Sequence, residues 1–177
     1  MAHSLAEARK AKIISITPAA AETFRMDVEA SVIAERARPG QFVMVRACPD
    51  ASDPLLGRPL AVLDTNPAQD VFSMLFMLKG RGTAALARLQ AGNEIFVNGP
   101  LGRAFQFDEY ACVIAVGGGT GAAPLFFLVR RALAAGKKAF LILGARTSAR
   151  QPSLPLPPGT LLLASEDGTK GFQGNAI

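Results

Sequence analysis

Three consecutive glycines between an apolar stretch and a helix-like tail limit this chain more than any other feature. They lie in VIAVGGGTGAAPLFFLVRRAL, residues 113–133. From Tyr110 to Val116 the residues are apolar and often β-branched, which predicts a buried strand. Past the turn, Leu125, Leu128, Val129, Ala132 and Leu133 recur at i, i+3, i+4, i+7 and i+8, one face of a helix. Pro124 is tolerated in a first helical turn, and Gly136 stands where a helix end favours a left-handed residue. A strand, glycine turn and helix aim free backbone N–H groups and a positive dipole end at an anion. Gly117, Gly119 and Ala122 match G-x-G-x-x-[G/A]. The acid that usually follows about 20 residues later is missing. No Asp or Glu occurs between Tyr110 and Glu166, and the next strand ends in Leu-Gly-Ala-Arg, 143–146. The expectation is a phosphate-binding turn outside the ordinary dinucleotide pattern. The plain alternative, glycines that serve only tight helix–strand packing, stays open at this stage.

Residues 110–129 carry no charge, about the length of a membrane span, but four glycines and a proline in their middle argue against one. Half of the 177 residues are hydrophobic, enough for a genuine core in one sizeable domain or two small ones. The net charge of +5 comes from scattered Lys and Arg with few aromatics beside them, which speaks against nucleic acid as a partner. The N-terminal MAHSLAEARKAK has no apolar core and does not read as a secretory signal. Cys48 and Cys112 suggest no disulfide framework, and Cys112 falls in the strand expected to be buried. A cytoplasmic protein is expected. His3 is the only histidine, which excludes a Ser-His-Asp or Cys-His nucleophile, and the cysteines and histidine are too few for a tetrahedral zinc site. Any chemistry therefore falls to a bound cofactor.

The first hundred residues predict a different architecture. Strand-like segments occur at 11–17, 22–30, 41–47, 59–65, 71–78 and 94–99, separated by turn signals such as Arg38-Pro39-Gly40 and Asn66-Pro67. That spacing suits an antiparallel barrel. One helix-like insertion, TAALARLQ (83–90), follows Lys79-Gly80-Arg81-Gly82. Closely spaced strands give way to strand–helix–strand near Arg103 to Asp108. The expected division is an antiparallel six-stranded barrel over 1–104 and a parallel-sheet α/β unit over 105–177.

Five segments occur in a telling order: PGQFVMVR (39–46), GRPLAVLD (57–64), KGRGTAAL (79–86), NGPLG (98–102) and VGGGTGAAP (116–124). Together they resemble the ferredoxin-reductase superfamily, in which a flavin-binding barrel precedes a nucleotide-binding α/β domain. Within it, the DPLLGRPLAVLD block, the G-x-G-T block and the late SEDGTKG (165–171) are most similar to the electron-transfer subunits of NAD-dependent, B-type dihydroorotate dehydrogenases.

The resemblance implies roles for particular residues. Arg58 would meet the phosphates of FAD, a task that suits a guanidinium fork. Pro59, Leu60 and Ala61 would wall the isoalloxazine. Ala61 replaces the Ser or Thr common there, so a hydroxyl near the reactive flavin nitrogen is lost. Leu75, Phe76 and Met77 match the strand that lines the flavin. Gly82 and Thr83 would offer N–H groups and a hydroxyl to the pyrophosphate. The plain alternatives are a surface salt bridge for Arg58 and a helix cap for Gly82 and Thr83. A nicotinamide dinucleotide would lie over Gly117, Gly118, Gly119, Thr120 and Gly121, with Arg146 near a ribose or its 2′-phosphate. Arg146 does not decide between NAD and NADP, and a solvated arginine is its alternative. Glu166 and Asp167 match an acidic-Gly segment near that cofactor, or a surface turn.

The resemblance also implies an activity. Electrons from dihydroorotate would pass through a catalytic, flavin-containing partner subunit to FAD, which gives hydride to NAD, a step of pyrimidine biosynthesis. Related reductases that feed a hydrogenase or a ferredoxin:NADP pathway, and a non-catalytic flavin-binding module, are the alternatives. The family carries four cysteines near its C-terminus that hold a [2Fe–2S] cluster. None of them occurs in this sequence, so no cluster is expected on this chain. About three strands of the nucleotide unit are expected, an incomplete set.

Overall fold

The structure is a computed structural model, and it describes residues 9–47 and 56–176. His3, Cys48 and the first residues of the DPLLGRPLAVLD block lie outside the described residues.

Six strands close into an antiparallel barrel: β1 (Arg9–Ala20), β2 (Thr23–Glu29), β3 (Phe42–Arg46), β4 (Arg58–Asn66), β5 (Val71–Met77) and β6 (Glu94–Leu101). Their order around the barrel is β1-β2-β5-β4-β3-β6. Alternation sets the faces. In β3, Val43 and Val45 are buried while Phe42, Met44 and Arg46 are not. Ile13, Met26, Val28, Val62, Phe72, Met74 and Ile95 fill the interior. Strand β4 bulges between Val62 and Asp64. The bulge lets Val62 fill the barrel while Leu63, next in the chain, is buried in the second apolar cluster. Two short helices interrupt the strands, α1 (Ser31–Arg36) and α2 (Arg81–Ala87). The sequence had signalled α2 two residues late and gave no sign of α1, which is too short to show a helical period.

The second unit is a parallel sheet of order β10-β9-β8-β7, with β7 (Cys112–Gly118), β8 (Lys138–Ala145), β9 (Leu161–Ser165) and a two-residue β10 (Phe172–Gln173). Four strands are present where about three had been expected. Helix α3 (Ala122–Ala134) follows β7 through a tight turn over Gly119–Gly121. It ends as the sequence predicts: Gly136 takes φ +74, its N–H donates to the Leu133 carbonyl (2.9 Å) and that of Lys137 to Ala132 (3.0 Å).

Two expectations need correction. The predicted helix face omitted Phe126 and Phe127, yet both are fully buried. Phe126 packs with the sheet cluster and Phe127 with the barrel cluster, so α3 is apolar on two sides because it is wedged between the two units. Strand β7 is only half buried: Val113 and Ala115 are covered, whereas Cys112, Ile114 and Val116 are exposed. It is the edge of the sheet, and α3 covers only one of its faces.

Candidate functional site

Two clusters of predicted residues come together. The first joins β4 to α2. Gly82 is buried, and a Cβ built on it would overlap the Arg58 guanidinium, so only glycine lets that side chain lie against the start of α2. Among the described residues Arg58 forms no ion pair. Arg58 and the start of α2 leave a cradle that a Cβ at position 82 would fill. That cradle fits the diphosphate of FAD. The Thr83 hydroxyl is committed elsewhere: it accepts from the N–H of Lys79 (2.9 Å) and of Gly80 (3.3 Å) and donates to the Gly80 carbonyl (3.1 Å). Only the Thr83 backbone remains for an anion.

The wall residues divide by face. Pro59 is exposed and Ala61 half-buried, while Leu60 points into the barrel. Ala61 packs against the same cluster as Leu63, Leu75 and Phe126, so the position that lacks a hydroxyl faces the second unit. Leu75 and Phe76 are 2% and 1% exposed, and the Phe76 ring stacks on Phe24 at 5.6 Å. Their side chains are taken up by packing, and of the three β5 residues only Met77 reaches an open cleft.

That cleft is the second cluster. It has a volume of about 430 Å³ and is lined by Met77 with Ala21 and Thr23 from the barrel, by Gly117–Gly119, and by Arg146 and Glu166. The glycines do different work. A Cβ on Gly117 would lie 2.5 Å from Leu125 Cδ1, and one on Gly118 would lie 2.7 Å from the Gly144 carbonyl oxygen. Packing against backbone demands glycine at 118, whereas at 117 the neighbour is the movable end of a side chain. Gly119 is left-handed at φ +55, and a Cβ there would meet nothing within 4 Å. Gly121 has an ordinary helical φ of −65 and equally open space, so neither packing nor conformation demands glycine there. Thr120 is half-buried and its hydroxyl has no hydrogen bond among the described residues.

Arg146 is exposed on the cleft with no ion pair among the described residues. Asp167 is not on the cleft; it accepts from the Thr169 hydroxyl (2.6 Å) and N–H (3.0 Å), and these bonds hold its carboxyl below the usual value. It is the surface turn residue of its pair, and Glu166 is the one that lines the cleft. The sequence reading missed Arg150, which shares the cleft with Arg146. A larger hollow of about 850 Å³ lies between the start of β1, α1 and β6, and contains none of the predicted residues. No group of three or more His, Cys, Asp or Glu among the described residues is placed to hold a metal ion. Nor is any described helix long and apolar enough to cross a membrane.

A closed six-stranded barrel joined to a parallel sheet through one helix is the ferredoxin-reductase fold. The structure of an NADH-dependent reduced ferredoxin-NADP oxidoreductase is similar at TM-score 0.78 and 30% identity, over 93% of this chain and 59% of that one. The ferredoxin reductase of carbazole 1,9a-dioxygenase shares the fold at TM-score 0.79 and 18% identity, over 95% of this chain and 54% of that one. More narrowly, the chain belongs to the family of electron-transfer subunits of dihydroorotate dehydrogenase B (NAD(+)). The Desulforamulus reducens subunit is 35% identical over 168 residues, 93% of this chain and 64% of the relative. The Lysinibacillus sphaericus subunit is 30% identical over 176 residues, covering 95% of this chain and 68% of the relative. The chain thus spans about two thirds of the length of the curated relatives it matches. No family model matches the sequence.

Proposed function

We propose that this chain is the FAD- and NAD-binding part of an electron-transfer module, with residues 1–104 as the flavin unit and 105–177 as the nicotinamide unit. The carrying observation is the 430 Å³ cleft, which brings Met77 of the expected flavin strand into one hollow with the glycine turn, Arg146 and Glu166. Arg58 and the start of α2 hold the FAD diphosphate, and Pro59 and Ala61 flank the ring system. Leu60, Leu75 and Phe76 fix the backbone behind it, with their side chains in the two cores. Gly119, Thr120 and Gly121 let a dinucleotide diphosphate approach the start of α3, where the helix dipole favours negative charge. The open space at Gly121 supports this over a turn built for packing alone. Bound FAD would supply the electron exchange with the nicotinamide ring; the chain itself positions both groups and excludes water between them.

By its family, the proposed physiological partner is the catalytic, flavin-containing subunit of a dihydroorotate dehydrogenase, with NAD(H) as the other electron carrier and NADP(H) the variant to test. Neither nucleic acid nor membrane is proposed as a partner, a cytoplasmic setting is part of the proposal, and no [2Fe–2S] cluster is assigned to these residues. The likeness to a ferredoxin-NADP oxidoreductase at 30% identity favours a second reading, a reductase subunit that serves another electron carrier. An absorption spectrum of the purified protein with added FAD, followed by anaerobic addition of NADH, tests the module itself. Stoichiometric FAD whose absorbance is bleached by NADH is expected. A colourless protein that does not take up FAD refutes the proposal, and mixing with each candidate partner subunit separates the two readings.

A further inference from the structure

Helix α3 is not the sole link between barrel and sheet. The run of chain that follows β8, residues 147–153, starts beside Arg146 and lies against the end of β1. Its backbone is bonded to the β1–β2 hairpin. The Ala21 N–H donates to the Ala149 carbonyl (2.7 Å), and the Ser153 N–H donates to the Ala19 carbonyl (3.0 Å). Arg150 Nη2 also lies 3.6 Å from Glu22 Oε2, but both side chains are about half exposed and such a pair contributes little. The same run is anchored in its own unit. The Ser148 N–H donates to Thr169 Oγ1 (2.8 Å) and the buried Gln151 amide to the Ala164 carbonyl (2.8 Å). Leu154, next in the chain, is buried in the cluster that holds Ala115 and Leu141.

The hairpin that receives this run has an unfavoured turn. Ala20 pairs with Thr23, so Ala21 and Glu22 are the two central residues, and of these only Glu22 is left-handed, at φ +55. Two-residue hairpins ordinarily take a positive φ at the first central residue, because that twist suits the strands. The form seen here splays them, and it sets a glutamate where glycine costs less. On its other side the turn is bonded to the end of β5, where the Leu78 N–H donates to the Glu22 carbonyl (2.9 Å). The turn therefore joins the strand of Met77 to the run that starts beside Arg146, and Ala21, Thr23, Met77 and Arg146 all line the cleft. A strained turn persists where its surroundings over-determine it, and here the surroundings are the two sides of one cleft. Resting on the reading of this cleft as the meeting place of flavin and nicotinamide, we propose that residues 148–153 are a strap that sets its width. Ala21 and Ser153 are its positioning residues, through their backbone N–H groups. Transfer between two bound groups requires reacting atoms about 3–3.5 Å apart, and a displacement of about 1 Å can cost about a hundredfold in rate.

Proline deletes each N–H separately. Ala21→Pro suits the turn, since proline is common just before a left-handed turn residue, so this variant should melt like the wild type. Ser153→Pro removes the second bond, while Ser153→Ala keeps it and alters only an exposed side chain. Hydrogen exchange of the full chain without cofactors gives a first measurement. The Ser153 amide should exchange roughly fivefold faster in Ala21→Pro, and the Ala21 amide likewise in Ser153→Pro, the scale of one lost hydrogen bond. With FAD bound, the bleaching rate at saturating NADH should fall about tenfold or more in both proline variants. Their affinities for FAD and for NAD+ should stay at the wild-type values, and Ser153→Ala should match the wild type throughout. Unchanged exchange in both proline variants overturns the proposal, as does an undiminished limiting rate. A loss of rate matched by a loss of either affinity makes the segment ordinary scaffolding and overturns it as well. A wild-type protein that takes up no FAD, or whose flavin NADH does not bleach, overturns the reading of the cleft and the strap with it.

Discussion

In the barrel every strand has two hydrogen-bonded neighbours and one covered face, whereas in the sheet β7 is an edge, and Ile114 and Val116 on its outer face are 65% and 37% exposed. Closure removes edges altogether, while a parallel sheet is ordinarily covered on both sides. The sheet gains its one covered face from α3, and α3 is held in turn by Leu63 and Leu75 from the outside of the barrel. The barrel stands on its own framework; the glycine turn is held in place largely by what the barrel lends to α3. The difference implies that the flavin function should survive damage that the nucleotide function does not.

The severest test of this dependence is Phe127→Ala. Phe127 leaves α3 and enters the barrel cluster, so its loss opens a cavity at the junction of the two units. The expected cost is about 3–5 kcal/mol, the range for a buried Phe reduced to Ala. Denaturant unfolding followed by tyrosine and by flavin signals should show the sheet melting ahead of the barrel. Coincident transitions in the variant would mean that the two units are one cooperative block and that the comparison above is too sharp.

Next in size is Arg58→Ala, which empties the cradle at Gly82. FAD affinity should fall by about 1.5–3 kcal/mol, the scale of a hydrogen bond to a charged group. Fold stability should change little, because Arg58 forms no ion pair among the described residues. Gly82→Ala should reproduce the loss by pushing the guanidinium aside. Undiminished FAD binding in both variants would remove the diphosphate from this cradle.

Much of this was legible in the sequence, and the failures have physical causes. Strand-like segments separated by turn signals at short, even spacing gave the barrel strands, since each strand of a barrel must turn back on its neighbour. Glycine chemistry gave the turn and the end of α3. What failed was anything decided by a second packing partner. The helical period of α3 marked one face, but Phe127 is buried by a barrel far away in the chain. Cys112 was expected inside because β7 is apolar throughout, and composition does not reveal which face a sheet leaves open. The contact of Arg58 with Gly82 could be inferred only through family resemblance. The pairing of Glu22 with Arg150 carried no signal at all, because two exposed charges far apart in sequence have no periodicity.

Gly119→Val tests the other side of the comparison. A β-branched residue at φ +55 is a backbone outlier, with a cost of about 1–3 kcal/mol, and its side chain would enter the space left for a ligand. Nucleotide binding should be lost while FAD stays bound. If NADH bleaches the flavin equally fast in wild type and variant, the turn is structural only.

Acid separates the regions through two aspartates. In the barrel, burial tends to raise the Asp27 carboxyl, but hydrogen bonds from Ser73, Ser15 and Arg25 outweigh it and hold it below the ordinary 3.8. Its stabilisation is present above that value and is lost as pH falls towards the depressed one. At the junction, burial raises Asp64 above 3.8 despite its ion pair with Arg130. Its contribution is largest below 3.8 and is lost as pH rises through the raised value. Acidification from neutrality should therefore relieve the junction first and weaken the barrel later. Unfolding midpoints against pH should flatten in the upper part of the acid range for Asp64→Asn and in the lower part for Asp27→Asn. The same flattening in both would show that the two carboxylates are not distinguished by their surroundings.

The smallest effect belongs to the exposed face itself. Ile114 lies on β7 between Cys112 and Val116, all three pointing away from α3, and it is 65% exposed. Replacing it with serine removes an apolar side chain that already sits largely in water, so the folded chain gives up little transfer energy. Surface changes of this kind stay within about 0.5 kcal/mol. Valine at the same position would keep the β-branched shape and separates strand propensity from exposure. An unfolding midpoint within that margin for Ile114→Ser, beside the large loss expected for Phe127→Ala, would show that one face of the sheet carries its stability and the other carries none. A loss of 2 kcal/mol or more would mean that the outer face is covered in solution and that the sheet does not stand open as the fold displays it.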